Sequence, residues 1–181
     1  GYGGRDIWMV KKLPFGNWTE PQNLGEPINT EYDEESPFLH PDGKTLYFSS
    51  VGHKSMGGFD IFKSTLNENI TWSAPENIGY PINTVGDDLF FMPAVSGNHA
   101  YFSSYRDEGK GDYDIFELSL LNEEESHLSV YKGVVKCQNH VVLKDLTITV
   151  KNEKSFSNYE NYHPNDSTGH FVFVLQAGHN Y

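Results

Sequence analysis

The chain is poor in cysteine, in cationic residues and in long apolar runs, and each shortage excludes something. One cysteine, Cys137, stands in 181 residues. No internal disulfide can close, and a lone thiol of this kind reads as a small apolar filler. No stretch of 18 apolar residues occurs, so no helix is expected to cross a membrane. The sequence also lacks a secretory leader; because Gly1 is not an initiator methionine, a further N-terminal segment is expected. Lys and Arg number 13 against 25 Asp and Glu, a net charge of −12. That balance repels nucleic acid and anionic lipid. No segment carries the 3.6-residue apolar period of an amphipathic helix.

Motifs of catalysis are missing as well. There is no G-x-S-x-G elbow for a serine nucleophile. The eight histidines include no H-E-x-x-H and no close pair, and one cysteine cannot build a zinc cluster. The glycine-rich strings "GYGG" and "GKG" precede no helix that could bind phosphate, and read as strand connectors.

Aromatics are abundant. They make up 14% of the chain, with 11 Tyr, 12 Phe and 3 Trp, alongside 17 Gly and 9 Pro. Aromatic and β-branched segments punctuated by Gly and Pro predict strands and turns, and the class is all-β.

The strands belong to a repeat. "PQNLGEPINT" (21–30) returns as "PENIGYPINT" (75–84), seven of ten positions being identical. A shift of 54 also superposes Gly3, Gly4, Asp6 and Ile7 on Gly57, Gly58, Asp60 and Ile61, and Trp18 on Trp72. "YFSS" at 47–50 recurs at 101–104, and residues 1–50 match 55–104 at 18 ungapped positions. A third copy opens with Gly111, Asp114, Ile115 and Phe116 and stops near Leu121. A period of this length in an all-β chain predicts a propeller, one four-stranded blade per repeat. Glu35–Pro41 and Lys44–Ser50 should pair across Asp42-Gly43, with Gly43 and Gly97 at positive φ. Phe59–Leu66 is a third strand, and Thr71–Gly79 an outer one that tolerates Pro75 at its edge. Trp72 should pack between neighbouring blades. "PINT" then joins one blade to the next, Pro27 and Pro81 fixing φ and Asn29, Thr30, Asn83 and Thr84 bonding local backbone.

Recurring carboxylates have two readings. Asp6, Asp60 and Asp114 recur, as do Asp33-Glu34 and Asp87-Asp88, and Asp112-Tyr113-Asp114 is similar to a fragment of a calcium loop. The other reading is that each Asp accepts backbone N–H groups and locks a joint. Recurrence at every repeat favours the second, and no cofactor is expected, calcium being the one candidate.

The order G-G-x-D-I-[FW], then W-[TS]-x-P-x-N-[LI]-G-x-P-I-N-T-x-x-D-[ED], then the "YFSS" strand resembles TolB-type propeller repeats. It is most similar to those of outer-membrane-associated proteins of Bacteroidota. The resemblance covers residues 3–120 and implies that 1–121 are the C-terminal blades of a β-propeller, one complete and two partial. Residues 122–129 ("NEEESHL" and beyond) read as an acidic linker. In 130–181, Y-x-G-x-V, L-x-x-L-x-I-x-V and S-T-G-x-F-x-F-x-L-x-A-G resemble a carboxypeptidase-regulatory-like module, a prealbumin-like β-sandwich that is incomplete here.

Propeller followed by such a sandwich is similar to the architecture of PorE-like OmpA-family envelope proteins of type IX secretion and gliding. The resemblance implies a non-enzymatic periplasmic scaffold associated with the outer membrane. Its partners would be an outer-membrane barrel of the PorP type and other secretion-system subunits. Peptidoglycan would be reached through an OmpA-like domain outside these residues. The loops 50–58 and 104–112 differ most between repeats, which suits partner contact, and His53 and Arg106 are the candidate contacts. The competing expectation is a hydrolase propeller or a glycan-binding protein with its ligand in a central channel.

Overall fold

In a computed structural model of the chain, every regular element among the described residues is a β-strand. Those residues are 3–13, 16–95, 97–107, 109–119, 128–136, 146–151, 159–165, 168–176 and 180–181. The predicted linker residues 122–127 and Cys137 lie outside them. The chain divides into two compact units, Gly1–Val10 with Glu20–Glu125, and Lys11–Thr19 with Ser126–Tyr181.

The first unit repeats itself in its hydrogen-bond register. β1 (Trp8–Met9) pairs with β2 (Gln22–Asn23). A four-stranded antiparallel sheet follows in the order β3 (Glu34–Leu39), β4 (Thr45–Ser50), β5 (Asp60–Thr65), β6 (Glu76–Asn77). A three-stranded sheet comes next: β7 (Asp88–Pro93), β8 (His99–Ser104), β9 (Asp114–Ser119). Glu34 faces Ser50 as Asp88 faces Ser104, and Trp8 faces Asn23 as Phe62 faces Asn77. β1 and β2 are therefore the outer pair of a sheet like the one that follows. Both first strands carry a register shift at one place, where Ser36 (φ +51°) and Phe90 (φ +57°) adopt left-handed backbone. The β3–β4 turn closes as predicted, Gly43 at φ +69° donating to the His40 carbonyl at 2.9 Å, and Gly97 at φ +76° repeats it.

Adjacent strand residues point to opposite faces, yet Ile61 and Phe62 of β5 are both buried. The middle sheet is covered on both sides. Phe62 packs with Ile7, Ile28, Leu46 and Phe48, and Trp72 lies partly buried against that cluster. Ile61 packs with Ile82, Phe91, Ala100 and Phe102. Burying a side chain of this size contributes about 1.5–3 kcal/mol, so one strand joins two cores.

In the second unit β10 (Leu128–Val134) pairs antiparallel with β13 (His170–Gln176), and β11 (Ile148–Lys151) with β12 (Tyr159–Tyr162). β10 begins two residues before the expected module boundary because Leu128 and Ser129 find partners in Gln176 and Leu175. The Phe173 ring lies 5.6 Å from Tyr131 and 5.0 Å from Tyr162, which brings the two sheets together. The predicted turn before the last strand forms around Asn165, whose carbonyl accepts from Gly169 N–H at 2.8 Å. In the same unit Lys12 bridges to Trp18, which is 61% exposed.

Candidate functional site

The repeated joint is the most organised polar structure in the chain. After β2 and β6 the chain turns at Gly25 and Gly79, both at positive φ, and passes Pro27 and Pro81, whose preceding peptides are cis. Asn29 and Asn83 are buried, and their amides reach 22 residues back, not to local backbone as the sequence suggested. Ile7 N–H donates to Asn29 Oδ1 at 2.8 Å, and Asn29 Nδ2 returns a bond to the Ile7 carbonyl at 3.0 Å. Ile61 and Asn83 repeat this at 2.8 Å in both directions. The Ile7 and Ile61 N–H groups are left over once the two-residue outer strand ends, and the asparagine amide accepts from them with Oδ1 while one of its two N–H donors returns to the same residue's carbonyl.

A second asparagine completes the bracket. Asn77 Oδ1 accepts from Gly79 N–H at 2.8 Å and from Asn83 Nδ2 at 2.7 Å. Its own Nδ2 donates to Asp60 Oδ2 at 2.7 Å. Asn23, Gly25, Asn29 and Asp6 make the same set. Recurring aspartates likewise hold backbone. Asp33 Oδ1 accepts from Arg5 N–H at 2.7 Å, and Asp87 Oδ1 from Phe59 N–H at 2.9 Å. Asp60 Oδ2 accepts from Met56 N–H and Asp114 Oδ2 from Lys110 N–H, each at 2.6 Å. Asp114, read as part of a calcium-loop fragment, is engaged in this way, and Tyr113 of that fragment donates its hydroxyl to Asp87 Oδ2 at 2.8 Å. Among the described residues no group of three or more His, Cys, Asp or Glu is placed to hold a metal ion.

The electrostatics follow from these contacts. Burial pushes the Asp60 carboxyl above the usual carboxylate range, against the Met56 N–H and the Asn77 amide, with nearby Asp88 adding to the rise. Its Oδ1 is buried with no hydrogen-bond partner among the described residues. Asp33 is held low, first by the Arg5 N–H and then by the Arg5 guanidinium.

Each joint also contains a buried carboxylate that the sequence did not single out from its neighbours. Glu34 accepts from Thr30 N–H at 2.8 Å, Thr30 Oγ1 at 2.6 Å and Ser50 Oγ at 2.8 Å. Asp88 accepts from Thr84 N–H at 2.6 Å, from the Thr84 hydroxyl at 3.0 Å and from the Ser104 hydroxyl. The recurring Ser after "YFS" and Thr after "PIN" were the signal for it.

The two candidate contact residues lie beside these carboxylates. His53 Nε2 is 2.9 Å from the Ile28 carbonyl, its ring against both members of the stacked Phe48–Phe62 pair. Arg106 donates Nη2 to the carbonyls of Pro81 and Ile82 at 2.8 Å and Nε to Ser104 Oγ at 2.9 Å. Its guanidinium lies 4.9 Å from the Phe116 ring centroid. The structure thus brings both to the same feature, the equivalent carbonyls of Ile28 and Ile82 in the two joints, although the residues themselves are one position out of step in the repeat. Beside His53 an open depression of about 420 Å³ is lined by Pro27, Thr30, Glu31, Tyr32 and Gly52. No family model matches the chain, and no curated protein or solved structure matches it either.

Proposed function

We propose that residues 1–121 are blades of a TolB-type β-propeller, residues 130–181 a carboxypeptidase-regulatory-like sandwich, and the chain a non-enzymatic periplasmic scaffold. In this reading it holds an outer-membrane barrel of the PorP type with other secretion-system subunits. It links them towards peptidoglycan through an OmpA-like domain outside residues 1–181. One observation carries the scaffold role: the polar side chains that recur at the joints bond the joint backbone or one another. Asn29, Asn83, Glu34 and Asp88 are all consumed in this way. The segments left to vary are the loops 50–58 and 104–112, which hang from the same strand ends in successive sheets. Variable loops on a rigid repeat suit recognition of a macromolecule.

The test is direct binding of the 181-residue chain to a purified PorP-type barrel, with a glycan panel and ester and peptide substrates run in parallel. Saturable barrel binding, weakened when the exposed loop residues Lys54 and Met56 are both replaced by serine with the Tm unchanged, is the expected result. Glycan binding without barrel binding, or turnover of any substrate, would overturn the proposal.

A further inference from the structure

The joint is written twice in the sequence, but the strand that receives it is written three times. In the first copy the receiving groups are Asp6 and the N–H and C=O of Ile7, filled by Asn23 and Asn29. In the second they are Asp60 and Ile61, filled by Asn77 and Asn83. The third copy is Asp114 and Ile115 on β9. Ser103 faces Ile115 as Ser49 faces Ile61, so the Ile115 N–H and C=O point to the outer edge of the sheet. There β9 pairs with β8 alone among the described residues. No third joint exists in the sequence to fill it. Tyr131 and Cys137 stand where the two asparagines would fall.

Two independent measures show the place unfilled among the described residues. The isoleucine side chain is 5% exposed at Ile7, 0% at Ile61 and 81% at Ile115. A Cβ added to Gly57 would lie 2.2 Å from the Val85 carbonyl oxygen, just past the second joint, whereas one added to the equivalent Gly111 meets nothing within 4 Å.

We infer that the outer edge of β9 is a docking site for an extended segment of sequence Pro-x-Asn-(Leu/Ile)-Gly-x-Pro-Ile-Asn-Thr lying outside residues 1–181. Main-chain pairing along an exposed edge supplies the attachment. Selectivity comes from the two asparagines, one to the Asp114 carboxylate and one bridging the Ile115 backbone. The segment's Leu or Ile and its Pro-Ile-Asn isoleucine lie against the Ile115 side chain, as Ile78 and Ile82 lie in the cluster that holds Ile61, the rest of which comes from the following sheet. An edge left open in this way invites unwanted pairing, and a matching segment removes the hazard. The inference stands on the register of the two filled copies and not on the scaffold role.

The experiment uses the 181-residue chain and a fluorescent peptide of residues 75–87, PENIGYPINTVGD. Anisotropy should show saturable binding below about 1 mM, and hydrogen exchange at residues 113–117 should slow when peptide is added. The peptide carrying Asn83→Ala should bind at least tenfold more weakly. Ile115→Pro in the protein should abolish binding with an unchanged Tm, because it removes only an outward N–H on an edge strand. Absence of binding, equal binding of the Asn83→Ala peptide, or an Ile115 amide already protected without peptide would each overturn the inference. Concentration-dependent self-association that protects 113–117 would overturn it too, assigning the edge to a second copy.

Discussion

Asn83→Ala measures what a joint is worth. The amide is fully buried and makes three bonds, with Ile61 N–H, the Ile61 carbonyl and Asn77 Oδ1. Truncation does not affect them equally. The Ile61 carbonyl keeps the Ile78 N–H and Asn77 Oδ1 keeps the Gly79 N–H, so each of those losses costs about 0.5–1 kcal/mol. Ile61 N–H keeps nothing, and a buried orphan donor costs about 1–3 kcal/mol. Freed side-chain entropy offsets a fraction of this. The sum is about 3 kcal/mol, which for a unit of this size corresponds to a fall in Tm of about 10 °C or more. Urea unfolding followed by circular dichroism gives the free energy, and a thermal scan gives the Tm. Asn29→Ala should behave alike, since its bonds are the same. Exposed Asn69→Ala should stay within about 0.5 kcal/mol. A loss below about 1 kcal/mol at Asn83 would mean that water replaces the amide and that the joint is not a sealed bracket.

Three further outcomes follow from the same contacts. Because burial raises the Asp60 carboxyl, the folded chain holds that proton at pH values where the unfolded chain has lost it, and stability falls as pH rises through that window. Asp60→Asn should therefore be more stable than wild type at pH 7, by on the order of 1 kcal/mol. Its advantage should shrink towards pH 4 in urea titrations, and a less stable variant at pH 7 would refute the reasoning. Gly57→Ala and Gly111→Ala occupy one position of the repeat, yet the first should cost about 1–3 kcal/mol by overpacking and the second should leave the urea midpoint unchanged. Equal effects would contradict the open third edge. Melting in chelator should match melting in millimolar calcium, because the repeated aspartates are engaged by N–H donors; a large calcium-dependent rise would restore the metal reading.

Much of this was legible in the sequence, for physical reasons that can be named. An identical joint at a fixed spacing requires identical surroundings, so the 54-residue period predicted the β3–β4 hairpin around Asp42-Gly43 and its repeat at Gly97, though not the register shift that both pairs carry. Gly43 and Gly97 marked the hairpin because few other residues accept positive φ. Trp72 is partly buried against the cluster around Phe62, because an aromatic at fixed register must be covered by something. The partner of Asn29 and Asn83 was not legible. Short-range rules send such side chains to neighbouring backbone, whereas an edge 22 residues upstream offers a donor and an acceptor together. Nor was the double burial of Ile61 and Phe62, since "DIF" carries no alternation to reveal which face is wet.

His53 and Arg106 sharpen that limit. They differ between repeats, and divergence suggested surface contacts, yet both bond joint carbonyls. The first joint holds its carboxylate on Glu34, which bonds Thr30 and Ser50 as Asp88 bonds Thr84 and Ser104 in the second. Position 52 there must be glycine, because a Cβ would lie 2.0 Å from Thr30 Oγ1. No side chain can then come from that position, and the next residue, His53, takes the Ile28 carbonyl. The second joint carries Asp88, and position 106 there bears a side chain. Arg106 caps the Pro81 and Ile82 carbonyls and sets Nη2 3.8 Å from Asp88 Oδ1. The two joints thus differ in which neighbour caps their carbonyls, the imidazole of His53 in the first and the guanidinium of Arg106 in the second. Both buried carboxylates are satisfied by a threonine N–H, a threonine hydroxyl and a serine hydroxyl, and the second has a cation beside it in addition. A repeat can thus change three residues and keep one function, so divergence between copies points to a binding surface only after such exchanges have been subtracted. With His53 and Arg106 accounted for, the remaining variable positions of loops 50–58 and 104–112 are the ones whose differences the joint does not require.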